Sequence, residues 1–312
     1  MTPWLSVVVP VYNGEAFLAD ALGSLRGQHD GVEILVVDDG STDQSMSIVE
    51  RFASELSIEV IRPGRLGSWV AATNVGLAHA RGEYVSFLHQ DDTWLPGRLA
   101  ALRNAVSREP CLVVGPSIYI DSLGRRVGHW RCPLATDRGL SAHSVLRSLL
   151  VQNFFAMPAP MVPRRVIDDW GGLDDQLWYT ADWDLWLRAA SCSTTRVLSG
   201  PFTAFRLHRG AQGIERTHDG VSLRRQLEIV LDRHLPAFAR APDASEVERI
   251  ARASIGVNVA LATARAAGRR SLLRATLEAL TALGPLGTAK LLHRGRLLDR
   301  VRARLRVGLG AP

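Results

Sequence analysis

Aromatic side chains are scarce in this sequence, at 6% of 312 residues, and there are three cysteines, Cys111, Cys132 and Cys192. None forms a C-x-x-C pair, which argues against a zinc cluster and against a disulfide framework and suits a reducing compartment. No stretch reaches the roughly 18 uncharged apolar residues that a membrane-spanning helix needs. The nearest approach, Ala279 to Ala289, is 11 residues long and contains Pro285. The opening MTPWLSVVVPVYNG lacks a basic n-region and is interrupted by Pro10, so it does not read as a signal peptide. Two phosphate-cradling signatures are missing as well: the first strand ends in PVYNGE rather than G-x-G-x-x-G, and no G-x-x-x-x-G-K-[ST] occurs. What remains, 46% hydrophobic and 22% charged residues, is the composition of a globular protein with a sizeable core.

The net charge of +6 is unevenly placed. From Leu261 to Pro312 the sequence carries +9, in Arg265, Arg269, Arg270, Arg274, Lys290, Arg294, Arg296, Arg300, Arg302, Arg304 and Arg306 against Glu278 and Asp299, which leaves −3 for the rest. The basic character therefore belongs to one segment. It reads as a solvated helix face, as a docking surface for an anionic bilayer, or as a nucleic-acid site. The last ranks lowest because no aromatic residue follows Phe238, and no nucleic-acid partner is expected.

The first 120 residues alternate strand and helix signals. Ser6–Tyr12, Glu33–Asp39, Ser57–Pro63, Glu83–Gln90 and Cys111–Ile120 are β-rich runs, several apolar almost throughout, as strands covered on both faces should be. Between them Glu15–Leu25, Asp43–Glu55, Trp69–Ala80 and Pro96–Ser107 read as amphipathic helices. The series predicts an α/β fold with a mostly parallel sheet flanked by helices, whose ligands bind beyond the carboxyl ends of the strands. A helix is expected over Ser141–Gln152, a loop over Asn153–Pro163, and another helix beginning near Thr180 or Asp182. Beyond Asp219 the reading is helical, over Gly220–His234, Ser245–Ala267 and Ser271 to about Arg306, with a boundary near 215. Residues 1–215 thus read as one domain and 216–312 as a basic α-helical appendage.

Two acid pairs stand at the predicted strand ends, Asp38-Asp39 in VVDDGSTD and Asp91-Asp92 in LHQDDTWLP. One such pair reads as a capped turn, with Ser41, Thr42 or Asp43 available as the cap. Two pairs at one sheet edge repel each other unless a cation or hydrogen-bond donors join them. Hard cations such as Mg2+ and Mn2+ take carboxylate oxygens together with the phosphates of a bound nucleotide. Tyr12 reads either as a residue facing a nucleobase or as a half-buried sheet aromatic. Asp182, in TADWDLWLRAA, reads either as an acid favoured by a helix N-terminus or as a general base, with Trp183, Trp186 and Leu187 forming an apolar face behind it.

From Ser6 to about His208 these segments, in this order, resemble a family 2 glycosyltransferase of GT-A fold: SVVVPVYN, ILVVDDGSTD, ATNVGLAHARGEYVSFLHQDD, WGGLDDQLWYTADWDLWLRAA and FRLH. The resemblance implies an inverting transfer of a sugar from a nucleoside-diphosphate donor (UDP, GDP or dTDP type) to a saccharide or lipid-linked saccharide acceptor, in cell-surface polysaccharide or glycolipid assembly. It implies that Pro10, Val11, Tyr12 and Asn13 hold the donor's base, with Asp39 on the base edge. Asp91 is implied to face ribose or metal, and Asp92 to hold the divalent metal, Mn2+ or Mg2+. Asp182 matches the catalytic base. Arg206 and His208 match a late R-x-H element near the diphosphate, His208 as a metal or phosphate contact.

Two positions depart from the family pattern. His89 stands where the family has its first acid, and Ala181 stands before Asp182 where it has Glu. These departures are what favours a non-catalytic binding or assembly module, the main alternative. A sugar nucleotidyltransferase would place a Gly-rich, Arg-containing loop after the first strand, and PVYNGE is not one. Asp121 to Asn153, with Trp130 and Arg131, is expected to shape the acceptor side. The expected location is cytoplasmic, with peripheral association at the inner face of the plasma membrane.

Overall fold

The computed structural model describes residues 2–28, 30–106, 109–136, 139–208, 210 and 219–307. In chain order its elements are β1 (Leu5–Val11), α1 (Leu18–Gly23), β2 (Val32–Asp38), α2 (Ser45–Phe52), β3 (Ile58–Ile61), α3 (Trp69–His79), β4 (Tyr84–Phe87), β5 (Thr93–Trp94) and α4 (Arg98–Val106). There follow β6 (Leu112–Val114), β7 (Ser117–Ile120), β8 (Arg126–Trp130), β9 (Gly139–Leu140), α5 (Ala142–Leu149), β10 (Met161–Pro163), α6 (Arg164–Trp170), α7 (Ala181–Cys192), β11 (Thr195–Val197) and β12 (Thr203–Arg206). Three helices close the chain, α8 (Gly220–Phe238), α9 (Ala244–Gly295) and α10 (Leu297–Arg306). The chain forms two compact units: Met1–Ser117 with Thr136–Gly139 and Phe155–Arg206, and Ile118–Ala135 with Leu140–Phe154 and Leu207–Pro312. The boundary expected near 215 lies outside the described residues.

In the first unit the strand order is β3-β2-β1-β4-β10-β6-β11. The central strands are those with the longest apolar runs: LSVVVPV and VEILVVD are buried at every position. They pair in parallel from Leu5↔Val32 to Val11↔Asp38, and β1 pairs with β4 in parallel from Leu5↔Tyr84 to Val8↔Phe87. A strand buried on both faces has no solvent side for polar residues, so the exceptions are paired. Ser6 Oγ donates to Glu33 Oε1 at 2.6 Å, and the Arg81 backbone N–H donates to the same oxygen at 2.7 Å. Leu18, Leu22, Ile48, Val49 and Phe52 of α1 and α2 belong to the core built on these strands. Helix α3 lies close against β1 and β2 at Gly76, where a Cβ would come within 2.5 Å of Val8 Cγ1 and 3.1 Å of Val37 Cγ2. Only glycine permits that approach.

β10 runs antiparallel to both β4 and β6, and it occupies the end of the segment expected to be a loop over Asn153–Pro163. The single strand expected over Cys111–Ile120 is two strands, β6 and β7, separated at Gly115-Pro116. Proline has no N–H to give a ladder, and strands end at it.

The second unit is mostly helical. Asp219 caps α8 by accepting from Val221 N (3.0 Å) and Ser222 N (3.3 Å). Val145, Leu149, Val230, Leu231, Val247 and Ile250 of α5, α8 and α9 are fully buried. A polar cluster sits among these helices: Gln152 Oε1 accepts from Ser254 Oγ (3.0 Å) and Asn258 Nδ2 (2.6 Å). The run α9 is helical over 52 residues, yet Lys290 meets Glu246 at 2.5 Å and Arg249 donates to the Ala282 carbonyl at 3.2 Å. At 1.5 Å per residue a straight helix would separate Glu246 from Lys290 by about 66 Å. The axis must therefore double back between residues 249 and 282, while the two helices expected over Ser245–Ala267 and from Ser271 onward form one helical run to Gly295. Among the described residues no helix is long and apolar enough to cross a membrane.

Candidate functional site

β1, β2 and β4 lie side by side and parallel, so their carboxyl ends, at Val11, Asp38 and Phe87, share one sheet edge. Hydrogen bonds stitch the three tips together. Asp39 N donates to the Val11 carbonyl (2.8 Å), Asn13 N to Ser41 Oγ (3.1 Å), and Thr42 N to Asn13 Oδ1 (2.8 Å). Asn13 takes a left-handed φ of +47° there, which asparagine tolerates better than most residues. On the other side Gln90 brackets Tyr12: its Oε1 accepts from Tyr12 N at 2.8 Å and its Nε2 donates to the Tyr12 carbonyl at 3.1 Å. Pro10, Val11, Tyr12, Asn13 and Asp39 are thus brought together. Pro10 and Val11 are buried in β1, Tyr12 is half-buried and Asn13 exposed.

The first acid pair divides its work. Asp38 Oδ1 accepts from Ser41 N (2.9 Å) and closes the turn. Asp43 accepts from Ser45 N (3.0 Å) at the start of α2 and from Glu15 N (2.9 Å). Burial raises the Asp43 pKa, but the hydrogen bonds from Ser45 and Glu15 outweigh it and hold the carboxyl below its ordinary value. With the turn closed by these two residues, Asp39 is left to the site. It is buried, and it accepts from Arg65 Nη1, from Leu66 N and from Gly67 N (3.2 and 3.1 Å). The Arg65 guanidinium lies over the Tyr12 ring, 3.6 Å from its centroid.

At the second pair Asp92 is 1% exposed. Its Oδ1 accepts from Arg206 N at 3.0 Å, while its buried Oδ2 meets no hydrogen-bond donor among the described residues. Burial, and after it the neighbouring Asp91 carboxylate, push Asp92 well above the usual carboxylate range. Arg206 is itself buried: its Nε donates to the Asp91 carbonyl (2.8 Å), its Nη2 to Asp20 Oδ2 (2.9 Å), and its guanidinium covers the Phe17 ring. The Arg206 side chain therefore braces the Asp91-Asp92 turn from behind. Among the described residues no three His, Cys, Asp or Glu side chains gather to hold a metal ion by themselves. A cation shared between one or two carboxylates and a ligand's phosphates needs no such group, and a buried carboxylate oxygen lacking a donor fits that role.

His89, which departs from the family pattern, packs its ring edge-on to Trp69 with centroids 5.3 Å apart. Burial pulls its pKa below the ordinary histidine value, against the opposing pull of Asp91. Trp69 in turn donates from Nε1 to the Trp178 carbonyl (3.0 Å), tying α3 to the segment that precedes α7. Asn74 clamps the same segment through paired bonds of 2.8 Å with the Leu173 carbonyl and N–H. Helix α7 then docks under β4 by Trp186, fully buried and edge-on to Phe87 at 5.6 Å. Asp184 and Arg188, both buried, pair at 2.9 Å within it. One turn before Trp186, Asp182 is half-buried in the first turn of α7 and its Oδ1 accepts from Trp183 N at 2.7 Å. Ala181 is fully buried, so an acid at that position would need an interior partner.

Gln90, Trp69 and Arg65 escaped the sequence reading. An arginine between two glycines in RPGRLG was the one local sign of the last. In the second unit Trp130 stacks on Tyr119 (5.2 Å) beneath the Arg300 guanidinium, and Arg131 pairs with Asp299 at 2.9 Å. His208 is half-buried in that unit, next to Leu207, whose N–H donates to the Ile120 carbonyl.

Residues 6–157 match the Glycosyl transferase family 2 profile. An uncharacterised glycosyltransferase of Rickettsia typhi is 28% identical over 193 residues, 60% of this chain and 58% of that protein. The Bacillus subtilis glycosyltransferase EpsJ is 34% identical over 128 residues, 40% of this chain and 37% of that protein. The chain thus spans less than two thirds of the length of these relatives. Among solved structures, S. aureus TarS 1–349 in complex with UDP-GlcNAc aligns with a TM-score of 0.64 at 19% identity, over 98% of this chain and 88% of that one. That likeness concerns the fold, which is the α/β GT-A arrangement expected, with the C-terminal helices present. Residues 6–157, just under half of the chain, are thus similar to glycosyl transferase family 2.

Proposed function

We propose that the protein transfers a sugar from a nucleoside-diphosphate sugar to an acceptor hydroxyl, with inversion at the anomeric carbon. The observation that carries this is the meeting of Tyr12, Asp39 and the Asp91-Asp92 turn at one sheet edge, with a buried Asp92 oxygen that no donor among the described residues serves. The same fold in S. aureus TarS accommodates UDP-GlcNAc.

In this reading the Tyr12 face and the Asp39 carboxylate hold the donor's base. An acceptor-only carboxylate is matched by the ring N–H of uracil, thymine and guanine, whereas cytosine offers it an exocyclic amine beside a bare ring nitrogen whose lone pair repels it. Asp92, with Asp91 beside it, would hold Mn2+ or Mg2+ against the diphosphate oxygens, and that ion, when bound, stabilises the charge on the departing diphosphate. Arg206 fixes the turn through its N–H to Asp92 and its side chain on the Asp91 carbonyl. Asp182 takes the proton of the acceptor hydroxyl. That oxygen forms its bond to the anomeric carbon from the face opposite the diphosphate, whose C–O bond breaks with the electron pair leaving on phosphate. Positioned proton transfer of this kind is worth roughly 10²–10⁴ in rate. The Trp183 N–H on Asp182 Oδ1 aims the carboxylate.

A calorimetric panel of UDP, GDP, dTDP and CDP, with and without Mn2+, tests the donor site. One of the first three should bind with metal dependence, CDP more weakly, and Asp92→Ala should remove the metal dependence. Metal-indifferent binding in both proteins would contradict the role given to Asp92.

For the second unit the proposed partner is an anionic membrane surface carrying a lipid-linked acceptor. Leu277, Leu286, Leu292 and Leu298, exposed by 59%, 80%, 43% and 53%, support it.

A further inference from the structure

Asp39 is a buried carboxylate, and a buried charge must be paired whether or not a ligand is present. Its partners among the described residues come from one segment, residues 62–67, which is exposed throughout. Gly64 and Gly67 take left-handed φ values of +87° and +73°. Between them Arg65 and Leu66 turn toward the tips of β1 and β2. The Arg65 guanidinium lies 3.6 Å from the Tyr12 ring centroid and donates to Asp39 Oδ2, while Leu66 N and Gly67 N donate to Oδ1. The pair is lopsided, with the Arg65 side chain 47% exposed and that of Asp39 6%.

A guanidinium is a flat, delocalised group that stacks on aromatic faces and offers N–H donors in its own plane. A nucleobase with an N–H edge has the same properties, and the donor-site reading above assigns it the same two contacts, the Tyr12 face and the Asp39 carboxylate. Non-bonded carbon atoms pack at about 3.5–4.0 Å. A ring and a guanidinium therefore cannot both lie against the same face of Tyr12. Resting on that reading, we infer that Arg65 is an internal stand-in for the donor's base: it lies where the base would lie, and donor binding exchanges one for the other. The exchange suits the two partners' exposure. Arg65 can return to water, whereas Asp39 passes from one planar donor to another and is never left unpaired. Arg65 thereby becomes a determinant of donor affinity and base choice, since an incoming base must replace its N–H on Asp39.

Competition of this kind lowers apparent affinity by the fraction of protein with the site open. Removing Arg65 should therefore tighten binding. Calorimetry with the Arg65→Ala protein should show a Kd lower than wild type by about three- to tenfold. The change should be equal for the nucleoside monophosphate and diphosphate of the preferred base, because the exchange happens at the base and not at the phosphates. Should Arg65→Ala lose thermal stability because Asp39 is short of a donor, Arg65→Gln, which keeps a neutral planar donor, carries the same comparison with a smaller gain. Unchanged or weaker binding in the variants, or a change seen with the diphosphate alone, overturns the inference while leaving the donor site standing. Failure of wild type and variants alike to bind any nucleotide overturns the donor-site reading, and the inference with it.

Discussion

At the scale of single residues the molecule spends its buried charges in two ways. Glu33 accepts from Ser6 Oγ, the Arg81 N–H and the Arg81 guanidinium, and so closes a structural junction between β1, β2 and the turn before β4. Burial raises its pKa, but those donors outweigh burial and leave it below the ordinary value of 4.5. Asp92 is the opposite case, pushed up by burial and then by the neighbouring Asp91 carboxylate, against the weaker opposing pull of Arg206. The Glu33 contribution follows a definite sign. A carboxyl held lower in the folded protein stabilises it fully above the unfolded value and loses that stabilisation as pH falls through the folded one. Glu33→Gln should cost about 1–3 kcal/mol at neutral pH. The gap to wild type should narrow as pH falls below about 4.5, the ordinary value. Urea unfolding at pH 7 and pH 4 measures both, and a gap independent of pH would contradict the pairing.

At the scale of elements, legibility follows from where the partners lie in the chain. The strands β1, β2 and β4 could be read because burial on both faces leaves an unbroken apolar run, and the helices between them could be read from their apolar spacing. The edges were off by a few residues, as at α1, where Glu15 to Phe17 form turns and the helix spans Leu18–Gly23. The acid pairs could be read too, since a strand's end marks the sheet edge. The brackets around them could not. Arg65 reaches Asp39 across 26 positions, Gln90 reaches Tyr12 across 78 and Trp69 reaches Trp178 across 109. No local pattern announces such pairings. The break expected between Ala267 and Ser271 does not end α9, because a glycine such as Gly268 costs a helix about 1 kcal/mol without ending it.

At the scale of the whole molecule, the excess positive charge of the last 52 residues is partly spent inside its own unit. Lys290 pairs with Glu246, Arg306 donates to the Val127 carbonyl and Arg300 covers Trp130, while Arg302 is exposed. The side chains of Arg265, Arg269, Arg270, Arg274 and Arg304 lie outside the described residues. Docking on a membrane would draw on the exposed leucines of α9 and α10 together with charge, at about 1 kcal/mol per basic residue near the surface. The protein should sediment with anionic vesicles, less with zwitterionic ones, and be released by salt. Indifference to lipid charge would favour a solvated helix face.

The central claim is that this sheet edge performs group transfer with Asp182 as base. The direct measurement is nucleoside diphosphate release in the presence of acceptor, for wild type and Asp182→Asn, with the donor Kd determined for each. Transfer should fall by about 10²–10⁴ while donor affinity stays unchanged. An Asp182→Asn protein that transfers at close to the wild-type rate would contradict the account.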